Sequence, residues 1–212
     1  MEGSYPGRVL LVILIIFHFS VHINASTTRP VRSSSRPRIS HKNREDHYIK
    51  TSCKTTLYPK LCYRSLSSYA NKIKTDPKIL AHTALNVTLT ATRSTSRLMR
   101  RISKIRTLRR RERAAIADCV EVVGDSVEEL HRSMEEMDSA SETNFTAVMS
   151  DVQTWVSAAM TDDGTCMDGC EEGAIRGRVK ILVRRHIVRI AHLTSNALVF
   201  VNSYASSTGN LP

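Results

Sequence analysis

Apolar residues recur in steps of three and four along most of this chain, a period that specifies α-helices with one buried face. The longest run is Ile116, Val120, Val123, Val127, Leu130, Met134 and Met137, with Glu121, Asp125, Glu128, Glu129, Glu135 and Glu136 opposite. Before it, Leu98, Ile102, Ile105 and Leu108 keep helical spacing downstream of Asp76-Pro77, a helix cap followed by proline at the first helical position. After it come Phe145, Val148, Val152, Trp155, Val156 and Ala159, then Ile175, Val179, Leu182, Val183, Ile187, Ile190, Leu193, Ala197 and Val201. The polar stretch 138–143 and Gly164 supply the breaks between runs. Four long amphipathic helices with short connections predict an all-α, up-down-up-down antiparallel four-helix bundle. Eight Gly, six Pro and 5% aromatic residues are too few for a turn-rich β-sandwich or barrel.

The first residues obey different rules. Arg8 precedes an apolar run, 9–17, that is shorter than the roughly 20 residues needed to span a bilayer. Ile23 and Ala25 suit the −3 and −1 positions of a signal peptidase site, so residues 1–25 read as a secretory leader. Residues 26–47 are rich in Ser, Pro and Arg, too poor in apolar side chains to repay ordering, and read as a flexible basic tail. The foldable domain is then 48–206, with no later segment apolar enough to span a membrane. Secretion favours disulfides for the five cysteines. It also makes acceptors of two glycosylation sequons, Asn86-Val87-Thr88 and Asn144-Phe145-Thr146.

The formal charge of +11 is unevenly spread. Residues 93–113 carry net +9, residues 114–172 net −14, and residues 173–212 net +6. A secretory leader and the lack of aromatic residues among the arginines argue against nucleic acid. The basic stretches read as solvated helix ends or as a means of electrostatic retention on an anionic polysaccharide such as pectin.

Catalytic patterns are weak. There is no Gly-x-Ser-x-Gly elbow, and His186 and His192 stand six apart, on nearly opposite faces of one helix. A zinc site from Cys166, Cys170 and a histidine lacks a second paired ligand motif. Asp162-Asp163 sits where a helix end is expected, with the two carboxylates diverging into solvent. No catalytic, cofactor or metal site is expected.

Five segments occur in a telling order. They are Cys53-Lys-Thr-Thr-Leu-Tyr-Pro-Lys-Leu-Cys62, Asp118-Cys119, Ser157-Ala-Ala-Met-Thr161, Thr165-Cys-Met-Asp168 and Leu193-Thr-Ser-Asn-Ala-Leu198. Together they resemble the plant invertase/pectin methylesterase inhibitor family, over Tyr48 to about Ser206. The resemblance implies a helical hairpin ahead of the bundle and two bridges, Cys53–Cys62 and Cys119–Cys166. The second would tie the second bundle helix to the loop before the fourth. Two positions depart from the family: Val123 stands where an aromatic is usual, and Cys170 where Phe is usual. Cys170 is open to three readings: a buried thiol, a competing partner for Cys119, or an intermolecular link.

The resemblance further implies a secreted apoplastic inhibitor that covers the substrate cleft of a pectin methylesterase one-to-one, using the second to fourth bundle helices. Carried onto this sequence, the contact surface includes Glu121, Asp125, Glu128, Glu129, Asp151, Gln153 and Trp155. An acid invertase is the alternative target, and a non-inhibitory pectin-binding wall protein the second alternative. The invertase-inhibiting branch tends to carry Pro-Lys-Phe after the second bundle helix. This chain has Ser141-Glu-Thr-Asn-Phe145 there, which favours pectin methylesterase. The chain ends soon after the last run, as a free-standing inhibitor would. In acidic walls, charging of His41, His47, His82, His131, His186 or His192 would make affinity pH-dependent.

Overall fold

The computed structural model describes residues 41–171 and 174–208. The leader expected at 1–25 and residues 26–40 of the expected tail lie outside them. Every regular element is helical: α1 (His41–Cys53), α2 (Pro59–Leu66), a 3-10 turn (Ser67–Tyr69), α3 (Ala70–Ile73), α4 (Pro77–Ile102), α5 (Arg110–Ser139), α6 (Phe145–Glu171) and α7 (Gly177–Thr208).

The four long helices pack in a ring, with α5 on α4, α6 on α5, α7 on α6 and α7 back on α4. Connections 103–109, 140–144 and 172–176 are too short for anything but antiparallel neighbours. Asp76 opens α4 as expected: its carboxylate accepts the Ile79 backbone N–H at 3.1 Å, and Pro77 follows. Gly177 starts α7 with φ +61°, a left-handed conformation that a side chain would strain.

The core divides along the bundle axis. One cluster joins the hairpin to the near halves of the long helices, through Ile49, Leu66, Ile73, Leu85, Leu130, Met137, Met149, Val152 and Val201. The other fills the far end with Met99, Ile102, Leu108, Ile116, Val123, Ile175, Val183 and Ile187. Val123, at the usual aromatic position, is fully buried, so the smaller side chain is accommodated.

Three expectations are corrected. Helix α4 stops at Ile102, so Ile105 and Leu108 lie in the connection, although Leu108 stays buried. Extending the helix would add Lys104 three and four residues beyond Arg101 and Arg100, like charges on one face. Gly164 does not break a helix: α6 continues to Glu171, because the inward positions Val152, Val156, Ala159, Asp163, Cys166 and Cys170 keep one face on the core. Helix packing outweighs the roughly 1 kcal/mol glycine penalty. Finally, α1 begins at His41, ahead of Tyr48, and Asp46 on it accepts the Tyr63 hydroxyl at 2.7 Å.

The hairpin is closed by the Cys53–Cys62 bridge and docked by Tyr58. Buried Asn196 of α7 accepts the Tyr58 N–H through Oδ1 and donates Nδ2–H to the Tyr58 carbonyl, both at 3.2 Å. The Tyr58 ring stacks on His192 with centroids 3.5 Å apart. Asn196→Ala removes both bonds and leaves two backbone groups beneath the hairpin without partners. It should cost about 2 kcal/mol and speed proteolytic cleavage within residues 54–58 over the parent. An unchanged cleavage rate would show that the hairpin is held elsewhere.

Candidate functional site

The longest stretch of facing side chains is the α5–α6 seam. Its antiparallel register is fixed by four pairs: Arg132 with Trp155, Glu129 with Asp162, Ser126 with Asp163, and Cys119 with Cys166. The sequence spacing of three and four on each helix makes this ladder of contacts continuous.

On α5, Glu121, Asp125 and Glu128 are exposed on one stripe, and Glu129 turns towards α6 and is half-buried. On α6, Asp151 is exposed. Gln153 is half-buried and donates Nε2–H to Asn202 Oδ1 at 2.9 Å, which engages it with α7. Trp155 is half-buried, with the Arg132 guanidinium 5.0 Å from its ring centre. That cation–π contact braces the centre of the seam. The seven residues carried over by resemblance do not all share one face: Gln153 turns towards α7. Five of them (Glu121, Asp125, Glu128, Glu129 and Trp155) line or adjoin a seam about 17 Å long, from 1.5 Å per residue.

Asp162 and Asp163 were expected to diverge into solvent at a helix end, and the structure corrects that. Both lie inside α6, one at the seam and one in the core. Asp163 is wholly buried, accepting the Ser126 hydroxyl at 3.1 Å and the Thr194 hydroxyl at 2.9 Å. Burial pushes its carboxyl up to about 7, against the two hydroxyl bonds. Neutral Asp163 also completes the network better. It can donate to Thr194 Oγ1, freeing the Thr194 hydroxyl for the Ile190 carbonyl 3.0 Å away.

Glu129 is pushed up to about 7 by burial and then by the adjoining Asp162 carboxyl. Its Oε2 is buried without a partner. Burial also raises Asp162. Two carboxyl groups sharing a half-dry seam each hold a proton more tightly than an exposed carboxyl does. The core carboxylate was visible in principle: 152, 156, 159, 163, 166 and 170 form one helical stripe once Gly164 is read through.

The cysteines meet one helix turn further along. Both bridges are present, and the longer joins α5 to α6 itself, because Cys166 lies within α6 and not in a loop before the last helix. Cys170, outside both bridges, is fully buried with its Sγ 3.9 Å from Cys119 Sγ. The three sulfurs lie within 4.8 Å of one another, but the bridge takes two of them out of any ligand set. Of the sequon asparagines, Asn86 is half-buried on α4. Asn144 is exposed before α6, where its Oδ1 accepts the Ser141 N–H at 2.7 Å. Burial lowers His186 and His192, so these two remain neutral further into acid than an ordinary histidine.

Comparison with known proteins matches this architecture. Residues 47–200 fit the sequence profile of the family described as plant invertase/pectin methylesterase inhibitor. The chain is 52% identical over 166 residues to pectinesterase inhibitor 10 of Arabidopsis thaliana, of which it spans about half the length (77% of this chain, 53% of that protein). It is 40% identical to pectinesterase inhibitor 9 of the same plant, over 94% of each chain. The crystal structure of a mutant form of a pectin methylesterase inhibitor from Arabidopsis shares the fold. Its TM-score is 0.60 at 23% identity, covering 73% of this chain and 95% of that one.

Proposed function

The chain belongs to the plant invertase/pectin methylesterase inhibitor family, and from that premise we propose that it is a secreted inhibitor of pectin methylesterase that covers the enzyme's substrate cleft one-to-one. The likeness to pectinesterase inhibitor 9 along nearly the whole of both chains carries this reading. Within it, the α5–α6 face is the contact surface. Exposed Glu121, Asp125 and Glu128 steer and register the partner, and half-buried Trp155 beside Arg132 is the aromatic anchor. Such a surface inhibits by occlusion and needs no reactive residue. No helix among the described residues is long and apolar enough to cross a membrane, which accords with release into the wall.

The test assays the chain 26–212 against a pectin methylesterase and an acid invertase side by side. Inhibition of the esterase, lost about tenfold or more in Glu121→Lys/Asp125→Lys/Glu128→Lys at unchanged melting temperature, is the expected result. These residues are exposed, so charge reversal changes the face and spares the core. Inhibition of the invertase alone would overturn the assignment. Full inhibition by the triple variant would move the contact surface elsewhere.

A further inference from the structure

The seam opposite the acidic one, between α4 and α7, holds a different kind of site. A groove of about 310 Å³ lies along it; Tyr69, Thr90, Ser94, His186 and Arg189 line it, and aliphatic side chains make up most of the remaining wall. Tyr69, Thr90, Ser94 and Arg189 are exposed, so a ring face, two hydroxyls and a guanidinium all open onto one channel. On α4 the stripe through Thr90 and Ser94 continues at helical spacing to exposed Arg97. The groove thus leads from the hairpin towards the arginine-rich end of the bundle. Residues 93–113 and 173–189 together hold 16 of the chain's 31 Lys and Arg. Among the described residues, no carboxylate lies within 4.0 Å of Arg97 or Arg189; the ion pairs found are His82–Asp138 and His131–Glu135. Burial, and then the neighbouring Arg185 and Arg189, lower His186 below an ordinary histidine, as befits a site of positive potential.

We propose that the α4–α7 groove binds a linear polyuronate. The ring of Tyr69 would pack against a sugar face, Thr90 and Ser94 would bond its hydroxyls, and Arg97 and Arg189 would pair with successive carboxylates. Guanidiniums with no carboxylate partner select an anionic ligand, and a groove that sets hydroxyls and a tyrosine ring among aliphatic walls suits the hydroxyls and C–H face of a sugar chain. The choice of uronate among anionic sugars rests on the pectin methylesterase reading, because de-esterified pectin is the product such an enzyme leaves beside its inhibitor. The groove lies on the far side of the ring from the α5–α6 face, so a chain held there would leave the inhibitory face open.

The experiment measures binding of the chain 26–212 to polygalacturonate and to fully methyl-esterified pectin, by titration calorimetry at about 50 mM and about 500 mM salt. Three results are expected. Polygalacturonate binds and the neutral ester does not; binding weakens about tenfold or more at the higher salt; and Arg97→Gln/Arg189→Gln loses about tenfold or more. Tyr69→Ala should weaken binding at unchanged salt dependence, a signature of lost stacking. Equal binding to both polymers would overturn the proposal. So would full affinity in the double variant with loss in Arg29→Gln/Arg32→Gln/Arg36→Gln/Arg38→Gln, or tighter capture by vesicles of anionic phospholipid. Inhibition is assayed on the same samples: esterase inhibition unaltered in Arg97→Gln/Arg189→Gln separates this site from the inhibitory one. A wild-type chain that binds polygalacturonate yet inhibits nothing would sink the inhibitor reading and leave the groove standing.

Discussion

Raising the pH from about 5 to about 7.5 should lower the melting temperature of this protein by about 5–10 °C, and Asp163→Asn should remove most of that fall. Asp163 is wholly buried with a carboxyl pushed up to about 7, whereas an unfolded chain returns it to the ordinary range near 4. Between those values the native state keeps a proton that the unfolded state has lost, so stability falls as pH rises. The contribution is fully present below about pH 4 and gone once the pH has passed through about 7. For a group this buried the whole excursion is on the order of 4 kcal/mol, of which pH 5 to 7.5 covers the larger part.

Glu129 adds to the same slope in the same direction, less strongly because it is only half-buried and solvent screens it. An asparagine at 163 can accept the Thr194 hydroxyl and donate to Ser126 without ever titrating. The variant should therefore match the parent near pH 5 and exceed it at pH 7.5. A parent whose melting temperature is flat or rising over this range, or a variant with the parent's slope, would refute the account. This dependence concerns stability; of the histidines expected to tune affinity, burial lowers His186 and His192.

The second large effect concerns the bridge between α5 and α6. On the loop-entropy model, Cys119–Cys166 contributes about 4 kcal/mol and Cys53–Cys62 about 2.7, so removing the longer bridge should cost more. The two cysteines of the longer bridge are not equivalent. Cys119→Ser leaves Cys166 and Cys170 on one helix with no sulfur opposite on α5. Cys166→Ser leaves Cys119 facing Cys170 across 3.9 Å, and the two can oxidise to a substitute bridge enclosing a loop of similar length. Under oxidising refolding, Cys119→Ser should melt roughly 8–16 °C below the parent, with Cys166→Ser clearly above it. Peptide mapping should find Cys119–Cys170 in Cys166→Ser, and the double variant Cys166→Ser/Cys170→Ser should fall to the level of Cys119→Ser. Equal melting temperatures for Cys119→Ser and Cys166→Ser, with no new bridge, would show that Cys170 cannot reach its neighbour.

Much of this architecture is legible from residue order because helix periodicity is local. The stripe Ile116 to Met137 needs only 3.6 residues per turn to declare which face of α5 is buried, and Asp76-Pro77 marks the start of α4 with the chemistry of its own cap. The same locality sets the limits. Ile105 and Leu108 keep the period beyond the point where the arginine-rich turn ends the helix. Gly164 carries a breaker's propensity that packing overrides. Reading Gly164 as a break places Cys166 in a loop and both aspartates at a helix end, where the structure has one continuous helix.

The sequence by itself determined that this chain makes long amphipathic helices, which faces of them are apolar, and which family its cysteine and motif order resembles. Only the tertiary structure decided which side chains meet across the seams. Asp163 becomes a core acid because α6 runs unbroken and faces Ser126 and Thr194. Cys170 comes within reach of Cys119 because α5 and α6 lie antiparallel in one register. Arg189 shares a groove with Thr90 and Ser94 because the ring closes α7 onto α4. Periodicity is a property of a single helix. The register and rotation of two helices arise from the whole set of buried contacts, and no local pattern encodes them.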